Sequence, residues 1–200
     1  MLLTVSYLEL NKMRRLLPVL LLAVIPALQG CFPVVATGVG AGALMAGDRR
    51  TSGIYIEDQG IELKAASRIE EKYKNGVHVN VTSFNRHVLL TGEASSEEVK
   101  QGMGQVALGV PNVIDVTNEV AIGNVAPFSA RSNDTYITSK VKGRMIDANR
   151  FAPHHVKVVT ENGVVYLMGM VTRKEADDAA EIARTTSDVR KVVKVFEYLD

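Results

Sequence analysis

The chain has 200 residues, with 23 Lys and Arg against 22 Asp and Glu and a formal net charge of +1. That balance excludes a strongly basic nucleic-acid binder and an acidic-tail protein. A content of 46% apolar and 22% charged residues excludes disorder throughout. One Cys leaves no intrachain disulfide and no cysteine-built zinc site, and no segment reaches the roughly 18 to 20 apolar residues of a spanning helix.

Lys12-Met13-Arg14-Arg15 is a positive patch, and Leu16 to Leu28 after it is almost wholly apolar. This is the order of a secretory signal, and Pro18 and Pro26 make it a poor spanning helix. Leu28-Gln29-Gly30-Cys31 resembles a bacterial lipobox, which implies that the Cys31 thiol receives a diacylglycerol, that the preceding peptide is removed and that the new amine is acylated. At about 0.8 kcal/mol per buried methylene, two or more chains make a stable anchor. Residues 1–30 are therefore expected to be a lipoprotein-type signal peptide, with Met13 an alternative start, and Cys31 the lipidation site. Phe32, where an Asp would resemble an inner-membrane retention signal, favours the outer membrane. Without residues 1–30 the chain carries 20 positive and 21 negative side chains. Residues 31–56, with Gly38, Gly40, Gly42, Gly47 and Gly53, read as a lipidated tether. Gly38 to Gly42 lack the Lys-Ser/Thr and the preceding strand of a nucleotide loop.

The remainder is a repeat. Val88-Leu89-Leu90-Thr91-Gly92 aligns with Val165-Tyr166-Leu167-Met168-Gly169 at an offset of 77, as do Ser95 with Thr172 and Glu98 with Glu175. At an offset of 76, Lys64, Arg68 and Ile69 fall on Lys140, Arg144 and Met145. Ile61, Ala65, Ile69 and Tyr73 give a first helix one apolar face. Val77, Val79 and Val81 alternate as a strand, and Val88 and Leu90 form the next, ending at Gly92. The turn between them is Asn85-Arg86 in the first copy and Asn162-Gly163 in the second. Ser95-x-x-Glu98 and Thr172-x-x-Glu175 read as capping boxes for a second helix. Val113, Val116, Val120 and Ile122 mark a last strand, as do Val189, Val192, Val193, Val195 and Phe196 in the second copy. The order α-β-β-α-β requires a crossover, so an α+β fold is expected: two separately packed units, each a three-stranded mixed sheet with two helices on one face.

Two such copies, with their aliphatic-x-aliphatic-x-Gly strand ends and valine-rich last strands, resemble BON domains, and the lipobox ahead of them resembles the BON-domain lipoproteins of the outer membrane. The boundaries read are domain 1 at 57–123, a linker at 124–132 and domain 2 at 133–200. The resemblance implies non-enzymatic binding of anionic phospholipid (phosphatidylglycerol, cardiolipin) through the second domain, a periplasm-facing position on the outer membrane, a role in its integrity and enrichment at division sites.

No motif contradicts a binding role. Gly-x-Ser-x-Gly and His-Glu-x-x-His are absent, so neither catalysis nor a cofactor is expected. His154-His155, read as a strand, would face opposite sides and hold no metal together; His78, His87, His154 and His155 read as exposed or satisfied, and no metal is expected. Charge separates the two copies: residues 57–123 hold 6 positives and 10 negatives, and residues 131–200 hold 12 and 10. On the first helix of copy two, Ile137, Val141 and Met145 form the core stripe, with Tyr136 and Lys140 one step round. Asn133, Thr135, Tyr136, Ile137, Ser139, Lys140, Lys142 and Arg144 are read as the phospholipid-contacting segment. The alternative is an envelope adaptor whose domains bind a protein or peptidoglycan, which an exposed strand edge or an apolar patch between the domains would favour.

Overall fold

A computed structural model describes residues 47–74 and 77–200. Cys31 and residues 32–46 of the segment read as a tether lie outside them. The first copy runs α1 (Ser52–Tyr73), β1 (His78–Phe84), β2 (His87–Ala94), α2 (Glu97–Leu108), β3 (Asp115–Asn118) and β4 (Ala121–Ile122). The second runs α3 (Phe128–Ala148), a 3₁₀ turn at Pro153–His155, β5 (Lys157–Glu161), β6 (Val164–Val171), α4 (Arg173–Arg184) and β7 (Lys191–Tyr198). In each copy an antiparallel hairpin is extended by a parallel last strand, and the central strand is the second one. The α+β reading holds in both copies.

The stripes of the first helices are buried as their spacing predicts: Ile61, Ala65 and Ile69 on α1, and Ile137, Val141 and Met145 on α3. Each helix also buries an aspartate. Asp58 accepts from the backbone N–H of Asn85 and Arg86 at 2.9 and 2.7 Å, and Asp134 from Asn162 and Gly163 at 2.8 and 2.7 Å. Both turns place two residues at positive φ, which is the hairpin geometry whose twist suits the strands. The turn leaves two N–H groups aimed inward, and the aspartate satisfies both. Gly92 and Gly169 occupy equivalent places two residues before the ends of β2 and β6. Both have positive φ, and a Cβ on either would collide with a backbone carbonyl of the adjacent segment, that of His78 or His155.

Four local readings are corrected. The helices start earlier than the domain boundaries: α1 at Ser52, capped by the Thr51 hydroxyl, and α3 at Phe128, inside the segment read as a linker. The cap of α2 is Ser96, accepting from Val99, and not Ser95; the Thr172–Glu175 capping box is present. The last strand of the first copy is broken into β3 and β4, because the Asn118 side chain takes the N–H of Val120 and donates to the Lys100 carbonyl. His154 and His155 sit in the 3₁₀ turn and not on a strand.

The two units are not packed separately. Val88, Leu90, Met103 and the α1 stripe form one core, and Val165, Leu167, Ile182 and the α3 stripe another. A third cluster joins the copies: Phe84 and Leu89 from the outer face of the first sheet meet Tyr166 and Met168 from the second, ringed by Val159, Val164, Met170, Val193 and Val195. The sheets thus face each other and the helices lie outside. Polar contacts ring this layer. Lys157 donates to Glu62 at 2.8 Å, Asn85 to Glu197 at 2.6 Å, Asn80 to Glu161 at 2.8 Å and Asn162 to Glu93 at 3.0 Å.

The chain ahead of α1 touches both copies. Arg50 pairs with Asp58 at 2.8 Å, and its guanidinium lies 3.9 Å from the Phe84 ring centroid. Arg49 reaches the other copy, bonding Glu175 through both terminal nitrogens and the Met170 carbonyl at 2.7 Å. Hydrogen bonding from Arg49 holds the Glu175 carboxyl down at about 2, with help from the Thr172 N–H and His155 and against the opposing effect of burial. Burial raises the Asp48 carboxyl, but hydrogen bonds from Arg50 outweigh it and the net shift is downward.

Two outcomes follow from this packing. Leu89→Ala removes a fully buried side chain from the joint and should lower the stability of the whole chain by about 2–5 kcal/mol in denaturant unfolding. Glu175, depressed in the folded state, contributes stability that is complete above the ordinary value of 4.5 and lost as pH falls towards about 2. Arg49→Met should bring the Glu175 carboxyl midpoint back towards 4.5 in a carbon-detected NMR titration, and should flatten the acid dependence of stability over that window.

Candidate functional site

The α3 helix turns Asp134, Ile137, Val141 and Met145 inward and leaves its opposite face uncovered. At about 100° per residue, Phe128, Ser132, Thr135, Ser139, Lys142 and Ile146 fall on that face, with Arg131 and Tyr136 at its flanks. Phe128 is 77% exposed, Ile146 63% and Tyr136 61%. The Thr135 and Ser139 hydroxyls donate back to the Arg131 and Thr135 carbonyls. Arg131 and Lys142 are exposed and make no ion pair among the described residues. The face thus carries large apolar side chains at both ends with two cations between and beside them, an arrangement suited to an interface between water and hydrocarbon.

Four residues of the segment read from the sequence, Asn133, Ile137, Lys140 and Arg144, lie off this face. Ile137 has 0% exposure and belongs to the core, because it lies on the stripe that packs against the sheet. Lys140 is held by Asp188 and by the Ser187 carbonyl and hydroxyl, both at 2.9 Å. That hydrogen bond keeps the Asp188 carboxyl below its ordinary range, while the Lys140 ammonium also lies 4.7 Å from the Tyr136 ring centroid. Arg144 binds the Ile182 carbonyl at 3.0 Å and the Thr186 and Thr185 hydroxyls at 2.8 and 3.1 Å, closing the C-terminal end of α4. Arg68, its counterpart in the first copy, does the same with the Gly109 carbonyl at 2.9 Å. Asn133 is exposed but lies about 140° round from Phe128, off the uncovered face. Phe128, Arg131 and Ile146 are members of the face that periodicity could have supplied, by continuing the Ile137–Val141–Met145 stripe back past residue 133 and reading its opposite side.

Beside this helix runs an open groove of about 930 Å³, walled by Phe128, Arg131 and Lys142 on one side and by His78, Asn80 and Glu161 on the other. Its floor is the polar end of the joint between the copies. Tyr166 lies within that joint, where burial, with the charges of Glu119 and Glu161 adding, pushes its phenol up to about 12. His87 pairs with Asp115 at 2.9 Å and His155 with Glu175 at 3.3 Å, as satisfied histidines. His78 is different: its Nδ1 is buried without a hydrogen bond.

The BON domain model matches residues 57–124 and again 133–200. The chain is 39% identical to Outer membrane lipoprotein DolP of Haemophilus influenzae over 86% of this chain and 91% of that protein. It is 32% identical to the 21 kDa hemolysin of Actinobacillus pleuropneumoniae, over 76% of this chain and 79% of that protein, and 27% identical to Osmotically-inducible protein Y of Escherichia coli, over 78% and 80%. With two family matches spanning both copies of the α-β-β-α-β unit, this chain belongs to the BON-domain family.

Proposed function

We propose that this protein is an outer-membrane lipoprotein, anchored through acyl chains on Cys31 and facing the periplasm, whose second BON domain binds anionic phospholipid such as phosphatidylglycerol or cardiolipin. It acts by binding and not by catalysis, in support of outer-membrane integrity and at division sites. The observation that carries the reading is the uncovered face of α3, where Phe128, Tyr136 and Ile146 stand exposed around Arg131 and Lys142. The relationship to DolP supports the envelope location. At about 1 kcal/mol per cation near an anionic surface the electrostatic part is weak. Tethering raises the local concentration enough for it to matter.

The adaptor reading has one observation in its favour. β7 is an eight-residue strand at the edge of its sheet, a place where an extended partner segment could add. The apolar faces of the two sheets offer such a partner nothing, since they cover each other.

Unlipidated protein should bind vesicles containing phosphatidylglycerol and not those of phosphatidylcholine alone. Binding should weaken with salt, since exposed charges are screened over about 8 Å at physiological ionic strength. Arg131→Glu with Lys142→Glu replaces attraction by repulsion and should weaken sedimentation with anionic vesicles by at least about a hundredfold. Undiminished binding would move the adaptor reading ahead. Lys140→Glu is the wrong probe, because it sets a carboxylate against Asp188 and breaks a structural contact. Mass spectrometry of the native N-terminus should find a chain starting at Cys31 with its acyl modification, and Cys31→Ala should release folded protein from membranes.

A further inference from the structure

We propose that His78, Glu93 and Glu161 form a zinc-type divalent metal site across the joint between the two BON domains. His78 and Glu93 stand opposite each other in the β1–β2 ladder, on the face turned towards the second copy. Glu161 ends β5 of that second copy. One ligand atom from each of the three lies within 4.8 Å of the others.

The polar accounting of these side chains is incomplete in a particular way. Glu93 is 2% exposed, and its Oε1 accepts from Asn162 while its Oε2 has no hydrogen-bond partner. His78 Nδ1 is likewise buried and unpartnered. These two atoms face each other at 3.3 Å without the alignment of a hydrogen bond. Two ligands of one tetrahedral ion, each about 2.1 Å from it, stand about 3.4 Å apart. The pair is therefore spaced as ligands of a shared third atom, and the Glu161 carboxylate needs to draw in by about an ångström to complete the set.

Charge points the same way. Two buried carboxylates from different domains meet here, and no Lys or Arg among the described residues is paired with either. Leaving them uncompensated is costly, and a divalent cation removes the cost. Imidazole with carboxylate selects zinc and its neighbours over calcium and magnesium, which prefer all-oxygen cages. Asn80 and Asn162 would serve as outer partners, each donating across the joint to the carboxylate of the other copy. His78 and Glu161 also line the groove beside α3, so an ion has a path from solvent.

The test uses the full chain in detergent, without an affinity tag and stripped of metal. Zinc chloride titrated by calorimetry should bind saturably, one ion per chain, and raise the thermal midpoint, because the ion joins both domains in the folded state. In the same protein, zinc should shift the side-chain amide resonances of Asn80 and Asn162. His78→Ala and Glu161→Gln should each weaken binding by at least about tenfold, and Asn80→Ala by a smaller factor. Circular dichroism reports whether each variant is folded; for one that is not, the resonance shifts in the unaltered chain decide. Absence of saturable binding would overturn the proposal. So would full binding in a folded His78→Ala, loss of binding only in His154→Ala/His155→Ala, zinc-induced shifts confined to regions away from Asn80 and Asn162, or calcium binding as tightly as zinc.

Discussion

The two sheets of this protein each have a second apolar face, and those faces are satisfied only by each other. Phe84, Leu89, Tyr166 and Met168 are almost wholly withdrawn from water and form a cluster of their own, apart from the two cores that pack under the helices. At about 1.5–3 kcal/mol for each such side chain the gross gain is several kcal/mol, large beside the net stability of a small domain. Without this layer, each copy would present an exposed apolar sheet. With it, the pair becomes one body, with helices outside and a polar rim around the joint. The rim supplies the reciprocal Asn–Glu bonds and the Lys157 contact with Glu62 that define how the copies meet.

This arrangement explains how one repeated fold carries two surfaces of different character. Residues that the copies share at equivalent positions perform the same structural task in each. Asp58 and Asp134 hold the hairpin turns, while Arg68 and Arg144 close the ends of the second helices. Residues that differ are where the two surfaces part in character. The exposed side of α3 is polar and basic around large apolar residues, and the outer rim of the joint gathers His78, Glu93 and Glu161, contributed unequally by the two copies.

The segment ahead of α1 is bound to both copies. Arg50 is bound to the first copy and Arg49 to the second, so the chain leaving the fold towards Cys31 starts from a point fixed to both. The downward shift of Glu175 is the electrostatic mark of that attachment.

The sequence determined the repeat, the element order and the mixed sheets, because helix stripes, alternating valines, hairpin turns and caps are local features with local causes. It also contains the marks of residues whose task is structural. The offset that sets Arg68 on Arg144 marks a shared structural arginine. The nearly unbroken apolar runs Val88-Leu89-Leu90 and Val164-Val165-Tyr166-Leu167-Met168 mark strands buried on both faces rather than on one. Only the tertiary structure decided what covers the second face. The partner of Leu89 lies in the other copy, and nothing in the spacing of either strand names it. For the same reason, the tertiary structure alone tied Lys140 to Asp188 and brought Glu161 to His78 and Glu93. Such contacts join residues far apart in the chain, and their distances are set by how whole sheets and helices pack, which no local pattern records.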